Sequence, residues 1–323
     1  MRSLPGGSNA DVALIEREGR LFVRKRARGA DASKLAEQYA WLQRWRRLPI
    51  VPAPLHGAWS GAWFTLDLTY CRGFRRLDEV LAEVNAVTGA ALLDTLLSSL
   101  QQQLYTAPVT VYDETRAVAY IRAKLLGKAE LAARACGAVR HLAVQDTVAV
   151  NGIVVPGLQR SATRLLTSPA ILSELGRFER TAVHGDLTLQ NVLFREGRFV
   201  VIDPNGENFI DDPVVDFAKL YQSLHSGYES LCRIAKPVLQ QNSIRFSPDT
   251  PAVFATLHSR LETRLRQTLP AHRFRSLLFH EAVHLMRLLP YRIERQPVAA
   301  PVLFALALQR LAEFLGQYEA HCV

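Results

Sequence analysis

Lysine is scarce in this 323-residue chain: six residues, against 33 arginines. The net charge of +9 therefore rests on guanidinium groups spread along the sequence, without the basic block that marks a nucleic-acid footprint. Nucleic acid is not an expected partner, although a positive field favours anionic small molecules such as nucleotides or sugar phosphates. Cysteine is sparse too. Cys71, Cys136, Cys232 and Cys322 stand apart with no C-x-x-C pair, which argues against a thiolate metal cluster and fits free thiols in a reducing cytosol. No apolar run approaches the length of a membrane span; residues 302–308 come nearest and are too few. Residues 1–7 lack the apolar core of a secretory signal, so the expectation is a cytoplasmic protein with no membrane partner. There is no internal repeat and no low-complexity linker. What remains is an ordinary globular composition, 49% hydrophobic and 21% charged, suited to one large domain or two lobes.

The informative stretch is 183–217, V-H-G-D-L-T-L-Q-N-V-L-F-R-E-G-R-F-V-V-I-D-P-N-G-E-N-F-I-D-D-P-V-V-D-F. Val192, Leu193 and Phe194 form one apolar run, Arg195-Glu196-Gly197 reads as a turn, and Phe199 to Ile202 is a second β-rich run. Asp186 and Asn191 thus lie on the loop entering a hairpin, and Asp203 directly follows its second strand, which brings the three close in space. A carboxylate, an amide oxygen and a second carboxylate make a hard-oxygen site of the kind Mg²⁺ uses when phosphates complete its shell. The carboxylate not used on the metal can accept a hydroxyl proton.

This spacing resembles the phosphotransferase family that includes aminoglycoside and choline kinases, distant relatives of protein kinases. There H-G-D-x-x-x-x-N stands for the protein-kinase H-R-D-x-x-x-x-N loop, and I-D-P stands where D-F-G would be. The resemblance implies Asp186 as catalytic base, Asn191 and Asp203 as Mg²⁺ ligands, and Asp216 as a buried brace of the catalytic loop. It also implies an α+β, bilobal protein-kinase-like fold. A small amino-terminal sheet-plus-helix lobe (1–70) would bind nucleotide, and a larger, mainly helical lobe (71–323) would carry catalysis and acceptor binding.

Such a fold requires nucleotide contacts upstream, and candidates are present. Residues 13–17 and 21–25 read as two strands around a tight turn at Gly19, preceded by a small, flexible segment containing Gly7, Ser8 and Asn9 whose backbone could approach phosphates. Lys25 closes the second strand. A helix follows, with Asp31 or Ser33 as N-cap, Leu35, Tyr39 and Leu42 at helical spacing, and Glu37 inside it. In kinase-like folds the strand lysine pairs with such a glutamate and is held on the phosphates. The opposite pleat, with Arg24 inward and Lys25 in solvent, is the alternative. Residues 62–70 read as a strand breaking at Cys71-Arg72-Gly73; by resemblance this is the hinge, where backbone around Leu68 and Tyr70 would meet adenine. Helical patterns dominate afterwards, at 77–104, 116–138, 159–175, 215–238 and beyond 252, with a small hairpin or loop at 144–156 around Asn151-Gly152.

The expected activity is phosphoryl transfer from ATP·Mg²⁺ to a hydroxyl of a sugar, amino sugar or amino alcohol, with an aminoglycoside as alternative acceptor. No peptide platform follows Asp203: Pro204 to Pro213 is short and runs straight into a helix. Glu207 and Asp211 are candidate acceptor contacts, while Asp212 serves equally as a helix cap. L-Y-Q-S-L-H-S-G-Y-E (220–229) resembles bacterial members associated with capsule and sugar-nucleotide genes, which adds His225, Tyr228 and Glu229 as acceptor contacts or structural residues. Two readings from other classes compete. One is a non-catalytic nucleotide-binding relative, against which the intact Asp186, Asn191 and Asp203 argue. The other is a zinc hydrolase built on His280-Glu281-x-x-His284, a three-position match that chance often produces.

Overall fold

The structure, a computed structural model, describes residues 2–3, 10–231 and 236–319. Its first elements are β1 (Arg2–Ser3), β2 (Asp11–Arg17), β3 (Arg20–Arg28), α1 (Ala30–Trp45), β4 (Pro54–Ser60) and β5 (Trp63–Thr69). The strands form an antiparallel sheet in the order β1-β2-β3-β5-β4. Glu18 and Gly19, with φ of 53° and 71°, supply the two left-handed positions that a tight β2–β3 turn of the I′ type needs. Helix α1 starts after Gly29, and no side chain caps it. Asp31 and Ser33, the expected caps, lie inside its first turn. Leu35, Trp41 and Leu42 are buried, and Tyr39 meets Phe64 of β5.

The chain continues through β6 (Arg75–Arg76), α2 (Leu77–Glu83), α3 (Ala86–Gln103), β7 (Val109–Tyr112), α4 (Glu114–Tyr120), a π-helical turn (Ile121–Leu126), α5 (Gly127–Ala135) and α6 (Gly137–Ala143). Next come β8 (Thr147–Val150), β9 (Ile153–Pro156), α7 (Leu158–Thr167), α8 (Pro169–Leu175), β10 (Arg177–Arg180), β11 (Val192–Arg195) and β12 (Arg198–Val201). The last elements are α9 (Pro213–Leu224), β13 (Val238–Gln240), β14 (Ser243–Arg245), α10 (Ala252–Thr268), α11 (Ala271–Arg295) and α12 (Ala300–Glu319). A hairpin forms on Asn151-Gly152, and the expected one forms on Glu196-Gly197, all four residues at positive φ.

Several expected helices are shorter than their apolar periodicity suggested. The 77–104 pattern breaks at Val84 and Asn85, and the 159–175 pattern breaks where Ser168 caps a new helix with Pro169 at its first position. The 215–238 pattern stops at Leu224, shortly before Gly227 at φ +62°.

Two compact units emerge, and they do not follow a single cut after residue 70. One comprises 1–84, 91–107 and 181–209; the other comprises 85–90, 108–180 and 210–323. The first therefore holds the amino-terminal sheet together with the loop that carries Asp186 and Asn191 and the hairpin that follows it. Pairing explains the grouping: β6 adds to β11, and the Val201 N–H donates to the Ile50 carbonyl at 2.8 Å.

In the second unit α9 has all twelve residues buried and packs on α11, which also packs on α12. Pro297–Tyr318 is long and apolar enough to cross a bilayer, with mean hydropathy 1.6, although no uninterrupted apolar run predicted it. Of its most apolar 18 residues 78% are buried within the protein, as a core helix requires.

Candidate active site

The loop from Val183 to Asn191 is pinned from both sides by His184, which is fully buried. Its Nε2 lies 2.8 Å from the Ile202 carbonyl, and its Nδ1 accepts the Asp186 backbone N–H at 3.3 Å. One nitrogen must donate and the other accept, so these two bonds select the neutral Nε2–H tautomer. Gly185 has φ +78°, and a Cβ there would overlap Asn208 Oδ1. Only glycine suits that position. Asn208 in turn is held by Asn205, whose backbone N–H donates to the His184 carbonyl at 2.8 Å. The loop before the hairpin and the loop after it are thus one hydrogen-bonded assembly, closed further by the Ile202 N–H donating to the Asn191 carbonyl at 2.8 Å.

Within this assembly Asp186 and Asn191 meet directly. The Asn191 amide nitrogen donates to the Asp186 carbonyl at 2.7 Å and to its carboxylate at 3.1 Å. With that nitrogen committed, Oδ1 is the Asn191 atom suited to a cation. Asp203 sits at φ +60°, a left-handed conformation uncommon for a non-glycine residue and concentrated at functional sites.

Lys25, buried to 7% exposure, points from β3 to the Asp203 carboxylate and forms an ion pair with it. The pleat is therefore Lys25 inward. Arg24 lies on the other face, where two 2.7 Å bonds join it to Asp67. The expected Lys25–Glu37 pair does not form. Lys25 Nζ donates instead to Gln38 Oε1 at 3.2 Å, and Gln38 Nε2 donates to the Pro204 carbonyl at 3.1 Å. The reason is helical phase: successive residues on a helix differ by 100° in direction, so only one of the two can face Lys25. Glu37 lies beside Gly206 and near Glu207; burial first, and then the Glu207 charge, raise its carboxyl pKa above the ordinary glutamate value.

The remaining expected residues distribute as follows. Gly7, Ser8 and Asn9 lie outside the described residues. Leu68 is buried in β5, and the Tyr70 carbonyl just beyond accepts the Arg72 N–H at 3.0 Å. Glu207 is exposed and Asp211 half-buried. Asp212 is a cap: its carboxylate accepts the Val214 N–H at 2.7 Å and the Glu179 N–H at 2.6 Å, and it pairs with buried Arg273. Asp216 is fully buried in the first turn of α9.

His225, Tyr228 and Glu229 are tied into the second unit. His225 Nδ1 lies 3.0 Å from Glu281, the Tyr228 hydroxyl accepts from Arg292 at 3.1 Å, and Glu229 accepts from Ser223 at 2.7 Å. The H-E-x-x-H residues diverge. Glu281 holds His225 and Ser226, His284 Nε2 bonds the Val215 carbonyl, and His280 lies against Tyr120. That geometry does not support the zinc reading. Among the described residues no group of three or more His, Cys, Asp or Glu could hold a metal ion.

Sequence reasoning did not single out Gln38 or Trp41, whose indole N–H donates to the Val183 carbonyl at 2.9 Å. Both lie on α1 at i and i+3, a shared face that its periodicity could have revealed.

The description "Phosphotransferase enzyme family" (APH) matches residues 1–254, most of the chain. The chain belongs to this family. It is a phosphotransferase, and solved structures agree on the fold. A ternary complex of aminoglycoside phosphotransferase APH(4)-Ia with AMP-PNP and hygromycin B superposes with TM-score 0.57 at 13% identity, covering 96% of this chain and 92% of that one. Choline kinase LicA from Streptococcus pneumoniae gives 0.56 at 14% identity, covering 97% and 93%. A putative fructosamine-3-kinase from Haemophilus somnus 129PT gives 0.54 at 12%, covering 96% and 90%. No curated protein matches at the sequence level. In this phosphotransferase, an ion held by the Asp203 carboxylate and the Asn191 amide oxygen would have two oxygen ligands from the chain, which would suit an ion that keeps its other positions for waters and phosphates. It does not fit a closed structural site.

Proposed function

We propose that this phosphotransferase is a small-molecule kinase that moves the γ-phosphate of ATP to a hydroxyl of a sugar, amino sugar or amino alcohol. The observation that carries the reading is the assembly of Asp186, Asn191, Asp203 and Lys25 within one unit, joined by hydrogen bonds and an ion pair. Asn191 and Asp203 would hold Mg²⁺, which when bound neutralises charge on the phosphates. Lys25 would turn from Asp203 to phosphate oxygens when nucleotide binds. Asp186, its carboxylate oriented by Asn191, would align the acceptor hydroxyl and take up its proton as the new bond to phosphorus forms. Holding the partners in line supplies most of the acceleration in this chemistry.

For the acceptor, Glu207 is the proposed contact, because it is exposed and follows Asp203 within the same unit. A carboxylate there suits hydroxyl or amine groups. The similar proteins are named for an amine-bearing sugar, an amino alcohol and an aminoglycoside, which supports a polar, hydroxylated acceptor. The test is acceptor-dependent ADP release across a panel of sugars, amino sugars, amino alcohols, nucleosides and aminoglycosides. Turnover with one of the first three classes is expected. Turnover confined to aminoglycosides would move the assignment to antibiotic modification, and ADP release by no acceptor, despite tight ATP binding, would overturn it in favour of a non-catalytic nucleotide binder.

A further inference from the structure

We infer that Gln38, a neutral residue standing where an acidic partner of the strand lysine was expected, is a positioning residue that couples the phosphate-binding lysine to the metal-binding loop. This inference rests on the phosphotransfer reading above and deepens it. The geometry is a bridge with two different ends. Gln38 Oε1 accepts from Lys25 at 3.2 Å, while Gln38 Nε2 donates to the Pro204 carbonyl at 3.1 Å, one residue beyond Asp203. An amide can do both at once because it carries an acceptor and a donor on one planar group. A glutamate cannot: its carboxylate could keep Lys25 but would face the Pro204 carbonyl with a second acceptor.

The neutrality of Gln38 has a further consequence. Lys25 takes its ion pair from Asp203 itself, so the group that would neutralise phosphate charge and the group that would bind the cation are held by each other. The same amide bonds the first directly and the backbone one residue past the second. Helix α1, which carries Gln38, is itself fixed against the catalytic loops. The Trp41 indole donates to the Val183 carbonyl at 2.9 Å, and Gly206 lies so close to the Glu37 backbone that a Cβ would not fit. The amide therefore projects from a fixed platform, and it ties Lys25 and the backbone after Asp203 to one register.

The role separates from plain structural support by what each end controls. Equilibrium binding of AMP-PNP is measured with and without Mg²⁺, alongside a thermal melt, for the wild type, Gln38→Glu, Gln38→Met and Glu37→Gln. Gln38→Glu keeps the lysine acceptor, so Mg²⁺-free binding stays within about threefold of wild type, but the affinity gained on adding Mg²⁺ falls about tenfold as the Asp203 loop loses its tether. Gln38→Met loses both ends and weakens binding about tenfold in either condition. Glu37→Gln behaves as wild type. Parallel losses in both conditions for Gln38→Glu, wild-type binding by Gln38→Met, or a loss specific to Glu37→Gln would each overturn the role. Should Gln38→Met fail to fold, the split shown by Gln38→Glu decides alone. If the wild type itself binds no AMP-PNP in either condition, the phosphotransfer reading falls, and the role of Gln38 falls with it.

Discussion

Acid should destabilise this protein in part through two histidines inside α11, and one substitution should remove the share of one of them. His280 is 4% exposed and His284 fully buried. Burial first, then the charges of Arg273 and Arg287, depress the His280 pKa to about 3. His284 is pushed well below its ordinary value by burial, with Lys219, Arg287 and His280 adding to it. In the unfolded chain both return to about 6.5, so between that value and the folded pKa the unfolded state binds more protons. Stability therefore rises with pH across the window and is lost as pH falls below about 6.5.

At pH 5 the deficit for His280 is about 1.5 pH units, which at about 1.4 kcal/mol per unit comes to about 2 kcal/mol, and His284 acts in the same direction. His280→Phe, packed among Tyr120 and Phe279, keeps an aromatic ring and removes one titration. Urea unfolding followed by tryptophan fluorescence at pH 8 and pH 5 gives the difference directly. The variant should lose about 2 kcal/mol less than the wild type between the two conditions. Identical pH dependence of the two proteins would refute the reasoning, because it would mean that His280 is already protonated in the native state or reaches water.

Other outcomes follow from the same geometry. Asp186→Asn should leave the thermal melt unchanged while acceptor-dependent ADP release drops about a hundredfold or more, as expected for loss of a general base; full turnover would remove Asp186 from that role. Gly185→Ala should fold but lose most activity, because φ +78° costs a non-glycine residue about 1–2 kcal/mol and the methyl would displace Asn208. Comparable ADP release by both proteins would show that the loop tolerates the shift. Arg273→Met strands the Asp212 carboxylate at 1% exposure and should cost about 3–5 kcal/mol in urea unfolding. Adding Asp212→Asn, which keeps an acceptor for the Val214 N–H, should recover most of that loss, and failure to recover would mean that the charge is not the source.

What the sequence determined by itself was whatever depends on short separations along the chain. The hairpin β11–β12 with its Glu196-Gly197 turn, the Asn151-Gly152 hairpin and the β2–β3 ribbon follow from alternating apolar residues and left-handed turn positions, both local properties. The proximity of Asp186, Asn191 and Asp203 was legible for the same reason, since a hairpin returns its second strand to its start. Helix lengths were not legible. Apolar periodicity runs through the 84–85 break and past Leu224 alike, so it does not mark where these helices stop.

Tertiary structure alone decided which side chain on α1 meets Lys25. Glu37 and Gln38 are adjacent in sequence, and the rotational phase of the helix turns Gln38 to Lys25. It also decided that H-E-x-x-H is not a metal site, because partners on α9 and on the turn after it claim Glu281 and His284. Partners 55 or more positions away claim Glu281 and His284, and no local pattern encodes those contacts.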